Sequence, residues 1–315
     1  MYFRQLNEIK FNLTNWIREK QADDKLFNSK DHSENGKWPY SIEDLPWFDQ
    51  PGAKDFIDSL KLAPADKSIL KNWLTNGYII ADVLDPDICD LMITEIKNAL
   101  WGLKKKFPNI EINNVQSPEE SNSHAIIQPL LCKYNADERE WMYQNNRWRI
   151  HGLMHYSYIF HTASKSRELR RISSLIFNEP ARAGFSLNFA NGSEQKLHQD
   201  IAQFHIYPRN FLIGVWIALE DIHPDSGPVE FYPGTHKLGL WNKHAANYPQ
   251  TNLRTLGSKN RDEYFDWLIQ ESKKISAKKT LIIKKGQALF WHACLAHGGS
   301  LQKDHSRTRH SYVLH

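Results

Sequence analysis

Apolar residues recur at helical spacing in the first half of the chain. The segments that carry this pattern on one face span about 65–76, 86–103 and 166–177, and we expect a helix at each. Gly77 is the stop signal of the first helix, and Asp85 before Pro86 is the start signal of the second. Between these two helices, Tyr78–Ala81 is a predicted strand.

The pattern changes after Pro180, where short runs rich in β-branched and aromatic residues alternate with turn signals. The predicted strands are Phe185–Phe189, His198–Tyr207, Phe211–Leu219, Val229–Tyr232, Thr280–Ile283, Ala288–His292 and Ser311–His315. One amphipathic segment, Arg261–Lys273, interrupts them as a helix. Many short strands with little helix between them predict a mainly β fold with flanking helices (α+β) and a double-stranded β-helix core of the jelly-roll or cupin type.

Two segments show no sustained period. Residues 1–63, with several prolines among charged and aromatic residues, are predicted to form an irregular N-terminal arm. Residues 104–149, which end in a cluster of Trp, Tyr and Arg, are a candidate lid. We expect residues 64–315 to form a single domain, with the helical part and lid at about 64–180 and the jelly-roll core at about 181–315.

Composition places the chain among ordinary globular proteins. Of its 315 residues, 41% are hydrophobic and 24% are charged, which excludes a disordered or collagen-like chain. The net charge is +4, and the lysines and arginines are scattered rather than clustered. We therefore expect no nucleic-acid partner.

The three cysteines include no C-x-x-C pair, so the sequence specifies neither a disulfide framework nor a thiolate zinc site. This usage favours a reducing, cytoplasmic location. Charged residues interrupt the first twenty positions, so we expect no signal peptide. The longest apolar run, Phe211–Leu219, is about half as long as a membrane span, and we expect no such span.

The strand-rich half contains a possible metal site. His198 and Asp200 are two residues apart on a predicted strand, so both side chains are expected on one face. His297 follows another apolar strand, and Gly298 and Gly299 after it allow close approach of the backbone. Two histidines and one carboxylate form the ligand set of non-haem iron(II) oxygenases, which leaves coordination positions open. The H-x-D pair alone is more typical of a surface polar pair than of a metal site.

Arg309, at the start of the last predicted strand, strengthens this interpretation. A guanidinium beside a buried site needs an anion, and its planar fork suits a carboxylate. A diacid co-substrate would supply one, whereas the alternative is a salt bridge to a nearby Asp or Glu. Arg307 has the same chemistry, but its spacing from the final strand favours Arg309. His292 is five residues before His297, and this odd spacing indicates a core or supporting residue rather than a ligand.

A series of motifs spans the chain from about Pro180 to the C-terminus. They are Ser186-Leu-Asn-Phe, Gly192-Ser-Glu-Gln-Lys-Leu-His-Gln-Asp200, Gly214-Val-Trp-Ile-Ala-Leu-Glu-Asp221, Ser226-Gly-Pro-Val-Glu-Phe-Tyr-Pro-Gly-Thr-His236, Gly286-Gln-Ala-Leu-Phe-Trp-His292, His297-Gly-Gly and Thr308-Arg-His-Ser-Tyr-Val-Leu-His315. With these motifs in this order, the sequence resembles the phytanoyl-CoA dioxygenase family of iron(II)/2-oxoglutarate-dependent oxygenases.

The resemblance implies that His198, Asp200 and His297 bind iron(II). It also implies that Arg309 binds the distal carboxylate of 2-oxoglutarate, with a hydroxyl from Ser311.

Four further positions are candidates for the co-substrate site. Trp216 is similar in position to a tryptophan that lines the family's active site, and its interpretation as a core aromatic residue stays open. Gln195, Gln199 and Asn188 are candidates for hydrogen bonds to 2-oxoglutarate.

The reaction implied by the resemblance consumes dioxygen and 2-oxoglutarate, releases succinate and carbon dioxide, and hydroxylates an unactivated C–H bond. Desaturation, epoxidation or ring chemistry would use the same ligands. Asp200 argues against halogenation, because related halogenases have a small residue in its place. We expect a small-molecule substrate that is lipid-like or a natural-product scaffold, and a monomer or homodimer.

Two other functions compete with this interpretation. His297-Gly298-Gly299 resembles an esterase oxyanion segment, but no G-x-S-x-G nucleophile motif accompanies it. A catalytically silent jelly-roll protein that binds a metal or a small molecule is the other alternative.

Overall fold

The computed structural model describes residues 45–101, 110–119, 122, 124–127, 131, 133–204, 206, 208–245, 253 and 255–315. The helices are α1 (Ala53–Ser59), α2 (Pro64–Asn76), α3 (Pro86–Trp101), α4 (Ala136–Asn145), α5 (Leu153–Tyr156), α6 (Tyr158–Ala163), α7 (Arg167–Phe177), α8 (Asn242–Ala245) and α9 (Ser258–Ile275). The strands are β1 (Tyr78–Asp82), β2 (Glu111–Val115), β3 (His124–Ile127), β4 (Arg149–His151), β5 (Ser186–Phe189), β6 (Ile213–Ala218), β7 (Val229–Phe231), β8 (Lys279–Thr280), β9 (Gln287–His292), β10 (His297–Gly299) and β11 (Ser311–Leu314).

The strands form two antiparallel sheets. The major sheet has the order β1-β9-β6-β11-β5-β4-β2-β3, and the minor sheet has the order β10-β7-β8. An isolated bridge between His198 and His297 lies beside the minor sheet. Strands that are distant in sequence are neighbours in both sheets, as in a double-stranded β-helix. The predicted jelly-roll core with flanking helices is confirmed.

The central strands β9, β6 and β11 of the major sheet are buried on both faces, which explains the continuous apolar runs in these strands. Along β6, Val215 and Ile217 pack with the apolar residues of the helices, whereas Trp216 packs with apolar residues of the minor sheet such as Phe231. The same alternation occurs in β9 and β11. The helices therefore cover the face of the major sheet that is turned away from the minor sheet, so the space between the two sheets does not open on that side.

The three helices predicted before residue 180 are present. Leu70 and Trp73 are the buried residues of α2, and Gly77 ends this helix with φ +72° and an N–H donated to the Trp73 carbonyl at 2.8 Å. A Cβ at Gly77 would lie 2.4 Å from Nδ1 of His236, so glycine is required both for its backbone angle and for space.

The segment interpreted as a candidate lid contains regular structure. Strands β2, β3 and β4 extend the major sheet beyond β5, and Asn135 caps α4 in a capping box with Glu138. The sequence shows no clear strand pattern here because β2 is short and polar. In addition, the register of β2 against β3 shifts near Asn114, which has a φ of +61°. The described part of the arm also has order, since it contains a short 3-10 turn at Trp47–Asp49 and α1.

The prediction of a strand over His198–Tyr207 was wrong. Among the described residues of this segment, only His198 makes a β-bridge, and Asp200–Ala202 then form a 3-10 turn in which Gln203 N–H donates to the Asp200 carbonyl at 2.8 Å. The partner segment turns at Ala293–Leu295, so it offers no continuous strand on which a ladder could extend. Residues 1–44 and Tyr207 lie outside the described residues.

The other strand predictions hold with small changes at their ends, apart from Thr280–Ile283, where β8 contains only Lys279 and Thr280. No helix in the described ranges is long and apolar enough to cross a membrane. The division into an arm and a single domain stays a prediction.

Candidate active site

A cavity lies between the two sheets and takes its walls from both. It is lined by Arg149, Leu187, Phe189, Ser193, Gln195, His198, Asp200, Gln203, Phe204, Trp216, Val229, Trp291, His297, Gly298, Arg309, Val313 and His315. The aromatic and aliphatic members form an apolar wall, and the polar members converge at one group of side chains.

That group is His198, Asp200 and His297, all of which are buried. One ligand atom from each residue lies within 4.8 Å of the other two, which is close enough for all three to hold one metal ion. Nε2 of His198 and Nε2 of His297 are each 3.6 Å from Oδ1 of Asp200. These are the three residues that the sequence placed together, although Asp200 reaches the cluster from a 3-10 turn rather than a strand.

Backbone pairing brings the two histidines together. His198 N–H donates to the His297 carbonyl at 2.8 Å, and His297 N–H donates to the His198 carbonyl at 2.9 Å. Gly298 permits this approach, since a Cβ there would lie 2.7 Å from the Gln195 carbonyl oxygen. The expected role of glycine at this position is confirmed.

The hydrogen bonds of both imidazoles fix their orientation. Nδ1 of His198 lies 2.8 Å from the Lys196 carbonyl, and Nδ1 of His297 lies 2.9 Å from the Leu295 carbonyl. Because a carbonyl only accepts, each Nδ1 must carry the proton, which leaves the Nε2 lone pair available to a metal. Burial lowers the pKa of His297 to about 4, so this ring is neutral at pH 7.

Asp200 supplies the negative charge of the cluster. Burial opposes its ionisation, but His297, His198 and His315 together hold the pKa of its carboxyl well below the usual range. Its Oδ2 accepts a hydrogen bond of 2.7 Å from Nε1 of Trp291 and lies 3.3 Å from Nε2 of His315. One carboxylate oxygen is therefore held in place while the other faces the two histidines.

Arg309 is a buried cation on the cavity wall, 1% exposed. Its Nη1 donates to the Gly227 carbonyl at 2.7 Å, while its Nε has no hydrogen-bond partner among the described residues. Burial lowers the pKa of this guanidinium to about 10, so it stays protonated at pH 7. Nearby Glu220 accepts hydrogen bonds from Thr308 and His310, the residues on either side of Arg309.

Two more predicted residues lie beside Arg309. The ring of Trp216 lies 5.3 Å from Cζ of Arg309, and Trp216 lines the cavity, so it is both a core aromatic residue and a wall residue. Ser311 is fully buried on the same strand face as Arg309, and its hydroxyl has no partner among the described residues. Arg307, the alternative to Arg309, forms an ion pair with Asp304 near the surface.

Of the three amide candidates, only Gln195 lies in the cavity. Its Nε2 is 3.3 Å from Nε2 of His198. Gln199 instead donates to the Gly239 and Cys294 carbonyls, both at 2.9 Å, so its amide has a structural role. Asn188 pairs with Tyr312 on the face of β5 that is turned towards the helices, away from the cavity. The structure does not bring Gln199 or Asn188 into the site.

Sequence reasoning missed His315 and Trp291, two cavity residues that lie against Asp200. His315 could have been found, because it is six residues after Arg309 and an even spacing on a strand indicates the same face. The hydrogen bond of Trp291 to Asp200 had no local signal, since the two residues are far apart in the sequence.

The sequence profile of the phytanoyl-CoA dioxygenase family matches residues 73–308. The chain belongs to this family. Curated relatives include the peroxisomal phytanoyl-CoA dioxygenases of Bos taurus, 31% identical over 134 residues, and of Homo sapiens, 29% identical over 130 residues. Each alignment covers 41% of this chain and 34% of the relative, so the aligned part spans about one third of the relative's length. The cytoplasmic location expected from the sequence stays a prediction.

Solved structures share the fold of this phytanoyl-CoA dioxygenase family member. The non-heme alpha ketoglutarate dependent epimerase SnoN from nogalamycin biosynthesis is 13% identical with a TM-score of 0.54, covering 79% of this chain and 82% of SnoN. EctD from S. alaskensis, solved with 2-oxoglutarate and 5-hydroxyectoine, is 13% identical with a TM-score of 0.52, covering 82% of this chain and 76% of EctD. At these identities the comparison concerns the fold.

A second buried polar cluster ties the arm of this family member to the strand that precedes His297. Asp49 accepts a hydrogen bond of 3.1 Å from Nε2 of His292 and one of 2.8 Å from the amide of Asn210. Nδ1 of His292 accepts from the Cys294 N–H at 3.0 Å. His292 thus has its own carboxylate partner outside the metal-ligand cluster, consistent with its interpretation as a supporting residue.

Replacing Asp49 with alanine is expected to lower the free energy of unfolding by about 1–3 kcal/mol, because it leaves the Nε2–H of His292 buried without an acceptor. Chemical denaturation would measure the change. Asp58→Ala is the matched control, since Asp58 is exposed and pairs with Lys71 at the surface. Equal effects of the two substitutions would contradict the structural role of Asp49.

His236, next to His292, gives the protein a pH-dependent stability. Burial, followed by the charges of His292 and Lys237, lowers the pKa of His236 to about 3, against 6.5 for an unperturbed histidine. The unfolded chain therefore binds the proton more tightly, and stability is lost as the pH falls from 6.5 towards 3.

His236→Gln should remove this loss, which amounts to at most about 1.4 kcal/mol per pH unit. Denaturation at about pH 7.5 and about pH 5 would measure the slope, with half-exposed His223→Gln as the control. An unchanged slope in His236→Gln would refute this assignment.

Proposed function

We propose that this chain is an iron(II)- and 2-oxoglutarate-dependent dioxygenase. The observation that carries the proposal is the position of the buried Arg309 guanidinium, whose Nε–H has no hydrogen-bond partner among the described residues, in the same cavity as the buried cluster of His198, Asp200 and His297. Family membership supports the same activity.

The donor set fits iron(II). Two imidazoles and one carboxylate form the facial triad typical of such oxygenases, and the cavity side of the cluster leaves room for further ligands. The backbone carbonyls of Lys196 and Leu295 would keep both histidines in the tautomer that binds the metal through Nε2.

The surroundings of Arg309 fit the distal carboxylate of 2-oxoglutarate. The Nε–H of Arg309 and the hydroxyl of Ser311, which have no partner in the described part of the chain, are buried donors that this carboxylate would satisfy. Trp216 holds the guanidinium against the cavity wall. Gln195 reaches the metal-facing nitrogen of His198 and would contact the co-substrate on that side.

When bound, iron and 2-oxoglutarate would activate dioxygen. The overall reaction would release succinate and carbon dioxide and insert one oxygen atom into the substrate. The protein's own residues position the substrate and exclude water through the apolar wall of Phe189, Phe204 and Trp291. Hydroxylation of a C–H bond is the reaction we assign. Desaturation, epoxidation or ring chemistry would use the same residues.

The proposed substrate is a partly apolar small molecule, in keeping with the aromatic wall of the cavity. A catalytically silent binding protein is the alternative from a different class. The complete set of His198, Asp200, His297 and Arg309 disfavours it, because a silent relative has no chemical need for a buried cation beside a metal site.

Release of succinate from 2-oxoglutarate tests the activity. We expect release that requires both iron(II) and dioxygen and that rises with a suitable small molecule from a metabolite collection. Binding of iron and 2-oxoglutarate without succinate release for any compound would favour the silent binding protein. Release that is independent of iron would exclude the proposed chemistry.

A further inference from the structure

The indole of Trp291 on β9 is fitted against the metal-ligand residues by the neighbouring strand β6. Its register partner on β6 is Gly214, and a Cβ at Gly214 would lie 2.1 Å from Cε2 and 2.4 Å from Nε1 of the indole. The indole therefore lies directly over the glycine, in space that any side chain at that position would fill. On the cavity side, its ring centroid lies 4.8 Å from that of the His297 imidazole.

The two oxygens of the Asp200 carboxylate have different surroundings. Nε1 of Trp291 donates to Oδ2 at 2.7 Å, and Nε2 of His315 lies 3.3 Å from the same oxygen. Because an ionised carboxylate only accepts, both contacts direct a donor at Oδ2. The other oxygen, Oδ1, lies 3.6 Å from Nε2 of each ligand histidine. Donors therefore hold Oδ2, whereas Oδ1 is the oxygen available to a metal.

This asymmetry decides how many coordination positions Asp200 would take. A carboxylate can bind a metal ion through one oxygen or through both. With one oxygen, Asp200 and the two histidines leave three positions of an octahedral ion open. The 2-oxo acid would take two of these as a chelate, and one would remain for dioxygen. If Oδ2 also bound the ion, no position would remain.

We propose that Trp291 is a positioning residue that restricts Asp200 to one metal-binding oxygen and so keeps a coordination position open for dioxygen. This inference rests on the proposed function and names the residue that controls its use of dioxygen. Gly214 provides the space for the indole, and His315 is a second, longer contact to the same oxygen.

Trp291→Phe is the main test, because it removes the N–H and retains an aromatic ring over Gly214. Nitric oxide serves as a probe that binds iron(II) in place of dioxygen without turnover, and electron paramagnetic resonance detects the adduct in anaerobic protein loaded with iron(II) and 2-oxoglutarate. We expect the variant to bind nitric oxide about tenfold or more weakly, as for loss of a hydrogen bond to a charged group. The KM for dioxygen in succinate release should rise by a similar factor.

Binding of iron(II) and 2-oxoglutarate should change much less in Trp291→Phe, because the released Oδ2 becomes available to the metal. Isothermal titration with iron(II) and the visible charge-transfer band of the complex with 2-oxoglutarate measure the two affinities. This selectivity is the readout that a merely structural role of Trp291 would not produce.

Two further variants complete the test. Gly214→Ala keeps the donor but displaces the indole, so it should also weaken nitric oxide binding. Trp148→Phe is the matched control, because Trp148 is a fully buried tryptophan outside this cavity whose Nε1 has no hydrogen-bond partner among the described residues. It should bind nitric oxide as the unmodified protein does. Circular dichroism checks the folding of each variant, and Trp291→Phe decides alone if Gly214→Ala does not fold.

Two kinds of result would overturn the inference. Unchanged nitric oxide affinity and an unchanged KM for dioxygen in Trp291→Phe would show that the indole does not control the open position. Equal losses of iron(II), 2-oxoglutarate and nitric oxide binding, or an equal effect of Trp148→Phe, would assign Trp291 a general structural role. Failure of the proposed function is distinguishable, since the charge-transfer band would then not form in the unmodified protein before any nitric oxide is added.

Discussion

Asp200→Ala is expected to abolish succinate release and to weaken iron(II) binding by more than about a hundredfold. Asp200 is the anionic member of the cluster, and its two partners are imidazoles, of which that of His297 has its pKa lowered by burial to about 4. Its carboxyl is fully ionised at pH 7, because the surrounding histidines outweigh the cost of burial and keep its pKa low. Without this charge, two imidazoles alone would have to hold the ion.

Isothermal titration with iron(II) under anaerobic conditions measures this change. Asp200→Asn is the conservative companion, since it keeps an acceptor for Nε1 of Trp291 while removing the charge. Asp221→Ala removes a carboxylate of the same type at the surface, where it pairs with Lys284, and should bind iron normally. Iron affinity that survives in both Asp200 variants would show that the metal site lies elsewhere.

Arg309→Ala is expected to raise the KM for 2-oxoglutarate by about a hundredfold or more, because truncating one partner of a buried charge pair costs about 2–5 kcal/mol. Iron(II) affinity should change little, since the guanidinium is not a metal ligand. Arg309 lies in the cavity wall with a free Nε–H, which the co-substrate would occupy.

Kinetics of succinate release at varied 2-oxoglutarate would separate KM from kcat. Arg307→Ala provides the control, because Arg307 carries the same charge two residues away but pairs with Asp304. A similar rise in KM for both variants would mean that the general positive charge of this loop, and not Arg309 itself, attracts the co-substrate.

The helices and most core strands were predictable because their signals are local. The apolar face of α2 and Gly77, at which the helix ends, are defined by residues that lie close together in the sequence. The run at β6 was recognisable as a strand, but the sequence could not reveal that both of its faces are buried, because helices and the minor sheet cover it from distant parts of the chain.

The cluster of His198, Asp200 and His297 was predicted correctly, but for a partly wrong reason. The H-x-D spacing was interpreted as two residues on one strand face, whereas a 3-10 turn after a single bridge brings the carboxylate to the histidines. The chemistry of a ligand set is visible in the sequence, while the backbone path that assembles it depends on the partner segment at Ala293–Leu295.

The supporting residues were the least predictable. Gln199 and Asn188 were plausible from the motifs, yet one binds backbone carbonyls and the other faces the helices. Trp291 reaches Asp200 in the cavity through a contact between segments far apart in the chain. Such contacts have no periodic or local signature, so only the assembled sheets reveal them.

Anaerobic titration of the purified protein with iron(II) and then 2-oxoglutarate tests the central claim most directly. The account predicts a visible charge-transfer band that forms only when both are present, is lost in Asp200→Ala and needs far more 2-oxoglutarate in Arg309→Ala. A protein that binds iron(II) at His198, Asp200 and His297 but never develops the band would contradict the assignment of 2-oxoglutarate to this cavity.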